Sequence, residues 1–87
     1  MWMRTKRGRA FANKIKGLLN GYRQKVERTK KEDRAVYAEM RAIVVAAIRE
    51  DFPGFDFNPV DVHVTPYLEG GYDVRFPVGF NAACLRP

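Results

Sequence analysis

Lysine and arginine recur through the first third of the chain at helical intervals, and the chemistry open to them is the binding of phosphate or carboxylate. Between Arg4 and Lys31 the cations are Arg4, Lys6, Arg7, Arg9, Lys14, Lys16, Arg23, Lys25, Arg28, Lys30 and Lys31. That is eleven against the single acid Glu27, or +10. Residues 32–87 carry five cations and nine acids, or −4, and the two parts give the +6 of the whole chain. Cations on both flanks of a helix neutralise phosphates and release counterions, which gives a salt-sensitive affinity that tolerates sequence. The same residues are suited to an acidic protein surface or an anionic membrane surface, and a charged collar is often only a solvated face. The opposition between a basic arm and an acidic remainder favours nucleic acid, or a nucleic-acid-bound assembly, as the partner.

No other constellation composes a reactive site. His63 is the single histidine, with Asp61 and Asp73 as neighbours on the polar face of a hairpin, but their spacing matches no metal-ligand pattern. Cys84 is the single cysteine, so neither an intrachain disulfide nor a cysteine metal site is expected. Gly17 to Gly21 reads G-x-x-x-G, which carries meaning only in an apolar 20-mer. Gly70-Gly71 lacks the Lys and Ser/Thr of a phosphate loop. No catalytic residue, metal or cofactor is expected, and the chain reads as a binding protein rather than an enzyme. Tyr67, Asp73 and Arg75 form a possible secondary interaction face on the hairpin.

Length sets the scale for all of this. Eighty-seven residues make one small domain, and 46% apolar composition is ordinary for a globular chain. No run approaches the roughly 18 apolar residues of a membrane span. The basic start lacks the apolar stretch of a secretory signal but has the look of a mitochondrial presequence. A cytoplasmic setting is the default expectation.

The basic arm needs a helix to order it. Phe11, Ile15, Leu18, Leu19, Tyr22 and Val26 recur at spacings of three and four, which predicts a helix from Ala10 after a basic tail over 1–9. Arg9, Lys16, Arg23 and Lys30 flank the stripe on one side, and Arg7, Lys14, Lys25 and Arg28 on the other. Gly17 and Gly21 each cost about 1 kcal/mol relative to Ala, but the stripe stays in phase through both. Trp2, Phe11 and Tyr22 have rings that stack on bases when exposed, although the stripe assigns Phe11 and Tyr22 to the core.

Thr29-Lys30-Lys31-Glu32 matches a capping box. A second helix follows with Val36, Met40, Ile43, Val44, Ala47 and Ile48 as its stripe, ended by Phe52-Pro53-Gly54. A continuous helix that dimerises is the rival reading, but it puts Thr29 and Asp33 on the seam. An antiparallel helical hairpin over 10–52 is therefore favoured.

Period-2 patterning then predicts a β-hairpin over 59–80, with Val60, Val62, Val64 and Leu68 facing Tyr72, Val74, Phe76, Val78 and Phe80. A three-residue loop, Glu69-Gly70-Gly71, pairs Leu68 with Tyr72, Val64 with Phe76 and Val60 with Phe80, leaving Gly71 left-handed. Pro66 and Pro77 require a bulge or an early ladder end. Residues 81–87 carry no readable signal.

The expected fold is α+β: two helices packed on a two-stranded antiparallel sheet. The helix, helix, strand, strand order departs from the double-stranded-RNA module and the RNA-recognition sheet. Three functions are expected, in descending order. The first is nucleic-acid binding through the cationic helix. The second is a small modulator or inhibitor, of a size common among phage and mobile-element products, docking on a larger protein. The third is a membrane-surface helix.

Overall fold

A computed structural model describes residues 5–27, 33–66 and 71–85. Helix α1 spans Lys6–Glu27 and α2 spans Asp33–Asp51. A 3-10 turn, Pro59–Asp61, leads into strand β1 (His63–Pro66), which pairs antiparallel with β2 (Tyr72–Arg75); a short helix α3 (Phe80–Cys84) follows. The two long helices pack on each other and the sheet lies over them, so the α+β hairpin-on-hairpin architecture is the one the periodicities predict.

Helix α1 starts at Lys6, four residues before the expected Ala10. The Thr5 hydroxyl accepts from the Gly8 N–H at 2.9 Å, satisfying a donor that the first turn leaves free. The same hydroxyl donates to the Leu85 carbonyl at 2.6 Å, tying the start of α1 to the end of α3. Arg7 and Arg9 therefore stand on a helix rather than in a tail. The helix continues through Gly17 and Gly21, because Phe11, Ile15 and Leu19 are buried on one line and Tyr22 and Val26 extend it. In α2, Val36, Met40, Val44, Ala47 and Ile48 are buried, with Ile43 and Tyr37 at the rim. The joint with its capping box at Thr29 to Glu32 lies outside the described residues.

The hairpin differs from the expected register. The pairs are His63 with Arg75, Val64 with Val74, Thr65 with Asp73 and Pro66 with Tyr72, a slip of two residues from the expected alignment. A two-residue slip leaves every side chain on its own face. Val64, Tyr72 and Val74 still face the helices, and Gly71 takes the left-handed conformation, φ 83°.

Both prolines mark ladder ends. Pro66 is the last residue of β1, and β2 stops at Arg75, two residues before Pro77, which has no N–H to extend it. Beyond Pro77 the chain turns at Gly79, φ 85°, and enters α3. The expected strand over 72–80 is thus half strand and half turn and helix. Val78, expected to face inward, is fully exposed, whereas Phe80 is completely buried. The N-terminal limit of the hairpin moves too. Asn58 accepts from the Val60 N–H at 3.2 Å and turns 59–61 into the 3-10 turn, which leaves Val60 57% exposed and Val62 buried.

Phe80 anchors the molecule. Its ring lies 5.5 Å from Phe11, 5.5 Å from Phe52, 5.4 Å from Phe55 and 5.0 Å from Phe76. One ring from α3 thereby joins α1, the end of α2 and the segment after β2. Burying such a side chain contributes about 1.5–3 kcal/mol, and favourable ring pairs add about 0.5–1.5 kcal/mol each.

Candidate nucleic-acid interface

Packing gives the two flanks of α1 different neighbours. The flank carrying Arg7 and Lys14 turns towards α2. Lys14 Nζ donates to Asp51 Oδ1 at 2.6 Å and stands 3.5 Å from Glu50 Oε1. The hydrogen bond to Asp51 raises the Lys14 pKa above its ordinary 10.5, partial burial opposes it, and the charges of Asp51 and Glu50 add to the rise. Arg7 lies over the Phe52 ring, 4.9 Å from its centroid. These two cations close the helix pair at its aromatic end. Lys25 is exposed farther along α1.

The other flank carries Arg9, Lys16 and Arg23, and its Lys16 and Arg23 face β2. Seven-residue spacing sets successive cations about 10 Å apart in one row, from the 1.5 Å rise per helical residue. Among the described residues, no carboxylate lies within ion-pair distance of Arg9, Lys16 or Arg23. Arg23 rests over the Tyr72 ring at 5.2 Å, and the Tyr72 hydroxyl donates to Asn20 Oδ1 at 3.2 Å. Burial raises the Tyr72 pKa, with Arg23 opposing, so the phenol keeps the proton that it donates. Between α1 and β2 runs an open cleft of about 520 Å³, with Lys16 and Arg23 on its walls.

A second cationic edge escaped the sequence reading. Arg34 and Arg41 of α2, also seven apart, line a cleft of about 270 Å³ beside His63 and Thr65 of β1. Their spacing was the available signal, but it is diluted by the acids of the body. The sheet is therefore bracketed by cations from both helices. Its ladder places His63 opposite Arg75 and Thr65 opposite Asp73.

Of the expected contact residues, the structure brings Arg9, Lys16 and Arg23 together, sets Arg7 and Lys14 apart from them in helix packing, and leaves Lys6 and Lys25 exposed. Arg4, Arg28, Lys30, Lys31, Trp2 and Tyr67 lie outside the described residues. Asp73 and Arg75 of the secondary face approach each other at 3.5 Å. Phe11 is buried and Tyr22 packs at the rim of the core. Among the described residues no three His, Cys, Asp or Glu side chains converge as a metal site, and no helix is long and apolar enough to cross a membrane. The chain matches no family model, and neither the curated proteins nor the solved structures give a significant match.

Proposed function

We propose that this chain is a small non-enzymatic protein that binds nucleic acid, or an assembly built on it, through the sheet-facing flank of α1. Arg9, Lys16 and Arg23 are the phosphate contacts, with Lys6 and Lys25 adding charge at the two ends. The observation that carries the reading is the contrast with Lys14: Glu50 and Asp51 of α2 engage Lys14, whereas among the described residues no carboxylate stands within ion-pair distance of Arg9, Lys16 or Arg23. A row of cations with no carboxylate partner among the described residues, about 20 Å long by helical rise, suits a polyanion better than a point ligand. Contacts of this kind read backbone charge, so affinity depends on salt and little on sequence. A cytoplasmic location is part of this proposal.

The test is binding to labelled single-stranded RNA, single-stranded DNA and duplex DNA across a salt series. Steep salt dependence with at least one of them, reduced by Arg9→Glu with Lys16→Glu, supports the proposal. Each lost contact lowers the slope of log affinity on log salt by about 0.7 for a single strand and 0.9 for a duplex. Absence of binding at low salt overturns it and leaves a modulator docking on an acidic protein surface as the reading to pursue.

A further inference from the structure

The cleft between α1 and β2 contains more than a phosphate row uses. Its floor is apolar, formed by Ala12, Ile15 and Val74, while Asn13, Asn20, Tyr72 and Asp73 join the cations around it. We infer that this cleft seats an unpaired nucleobase, so that the ligand of the basic row is a single strand; this rests on the nucleic-acid reading above. Phosphates lie along Arg9, Lys16 and Arg23, and one base turns from them into the cleft.

Each lining group has a part that a backbone ligand would not need. A base presents two π faces and an edge of donors and acceptors. Tyr72 supplies a ring beside the apolar floor, held by its hydroxyl on Asn20 Oδ1 at 3.2 Å. Asn20 keeps its amide N–H groups for the edge of a base, and the exposed Asn13 offers both a donor and an acceptor. Asp73 also borders the cleft, its carboxylate 3.5 Å from Arg75. The Arg23 guanidinium, 5.2 Å from the Tyr72 ring centroid, is a planar cation in the position that a planar base would take. Its displacement onto a phosphate exchanges one stacked partner for another and frees the charge where the backbone passes. At about 520 Å³ the cleft falls within the range of small-ligand pockets. The β1-side cleft, about 270 Å³, has arginines and Tyr37 but no carboxamide. A duplex cannot use the seat, since its bases are stacked and paired.

The experiment uses the whole wild-type chain and fluorescence anisotropy at one fixed salt concentration. Four probes are compared: a labelled single-stranded oligonucleotide, an abasic strand of the same length and charge, a duplex of that length, and an oligoglutamate of matched charge. The intact strand is expected to bind about five- to 150-fold more tightly than the abasic strand, the range that one base–aromatic stack supplies. The duplex and the oligoglutamate should fall with the abasic strand. Tyr72→Ala should bring the ratio of intact-strand to abasic-strand affinity close to one, and Tyr72→Phe should keep that ratio. The probe comparison needs no variant, so it decides the matter even where Tyr72→Ala fails to fold. Equal affinity for intact and abasic strands overturns the base seat while leaving the backbone-charge reading intact. A duplex as tight as the intact strand does the same. Oligoglutamate as tight as the intact strand overturns the seat in favour of an acidic peptide. No binding by any nucleic-acid probe overturns both proposals.

Discussion

Lys14 and Lys16 stand two residues apart on α1, yet Lys14 is held 2.6 Å from Asp51 while Lys16 has no carboxylate within reach among the described residues. The two are chemically identical, so their difference comes entirely from what packing sets beside them. The 200° between neighbours two apart on a helix sends one towards the end of α2 and the other towards β2. One flank joins α1 to the end of α2; on the other, Arg23 rests on the Tyr72 ring and the proposed contact with phosphate is made. A charge run in a sequence thus mixes residues with different work, and only the partner elements sort them.

The largest effect comes from removing the support common to both flanks. Phe80→Ala empties the centre of the aromatic cluster and should cost about 3–5 kcal/mol, enough to unfold most copies of a domain this small. Thermal unfolding by circular dichroism reads this directly. The chain should then lose its packing on both flanks of α1 together.

Next, Arg9→Glu with Lys16→Glu should weaken nucleic-acid binding by about tenfold or more at moderate salt, the scale of two phosphate contacts, with unchanged Tm. A loss of Tm equal to that of a core variant would instead mean that this row is structural.

A smaller effect concerns pH. Because the folded Lys14 pKa is raised above 10.5, its contribution to stability is complete below the unfolded value and fades as pH rises through the higher folded one. Denaturant unfolding at pH 7 and pH 11 should therefore show the stability gap between wild type and Lys14→Met narrowing at the higher pH. A gap that stays constant would mean that Lys14 acts by packing its stem alone.

Smallest of all, Cys84 should react slowly with a thiol reagent in the native state and faster after denaturation. It is buried, and burial raises its pKa against the pull of Arg7. Rapid native labelling would show that the Arg7 flank opens readily.

The helices were legible because most of their apolar residues follow one rule, Leu18 being the exception: expected on the stripe, it is 44% exposed. Phe11, Ile15 and Leu19 on α1, and Met40, Val44 and Ile48 on α2, are buried where a 3.6-residue period puts them. The start of α1 was missed because Thr5 acts through a cap rather than a stripe, and caps leave a single-residue signature. The end of the hairpin was missed because Tyr72, Val74, Phe76, Val78 and Phe80 alternate perfectly in the sequence. Pro77 and Gly79 break that alternation in space, and Phe80 reaches the core from a helix instead. Helix α3 left no readable trace, because its buried residues are the single pair Phe80 and Cys84, too short a run to show a helical period.

For the candidate site, the cation row could be read from spacing, but the Tyr72 and Asn20 cleft could not. Those residues are 52 apart in the chain and meet only when the sheet settles on α1.

The most direct test of the account is the matched pair of single reversals, Lys14→Glu and Lys16→Glu, in a salt series with a labelled single strand. Both change the net charge equally, so a long-range charge effect cancels between them. Lys16→Glu should lower the salt slope by about 0.7 and keep the Tm of wild type. Lys14→Glu, which sets a third carboxylate beside Asp51 and Glu50, should lower Tm by several degrees and keep the slope. Equal losses of affinity and slope in the two variants, with equal Tm, would contradict the division of α1 into a structural and a binding flank.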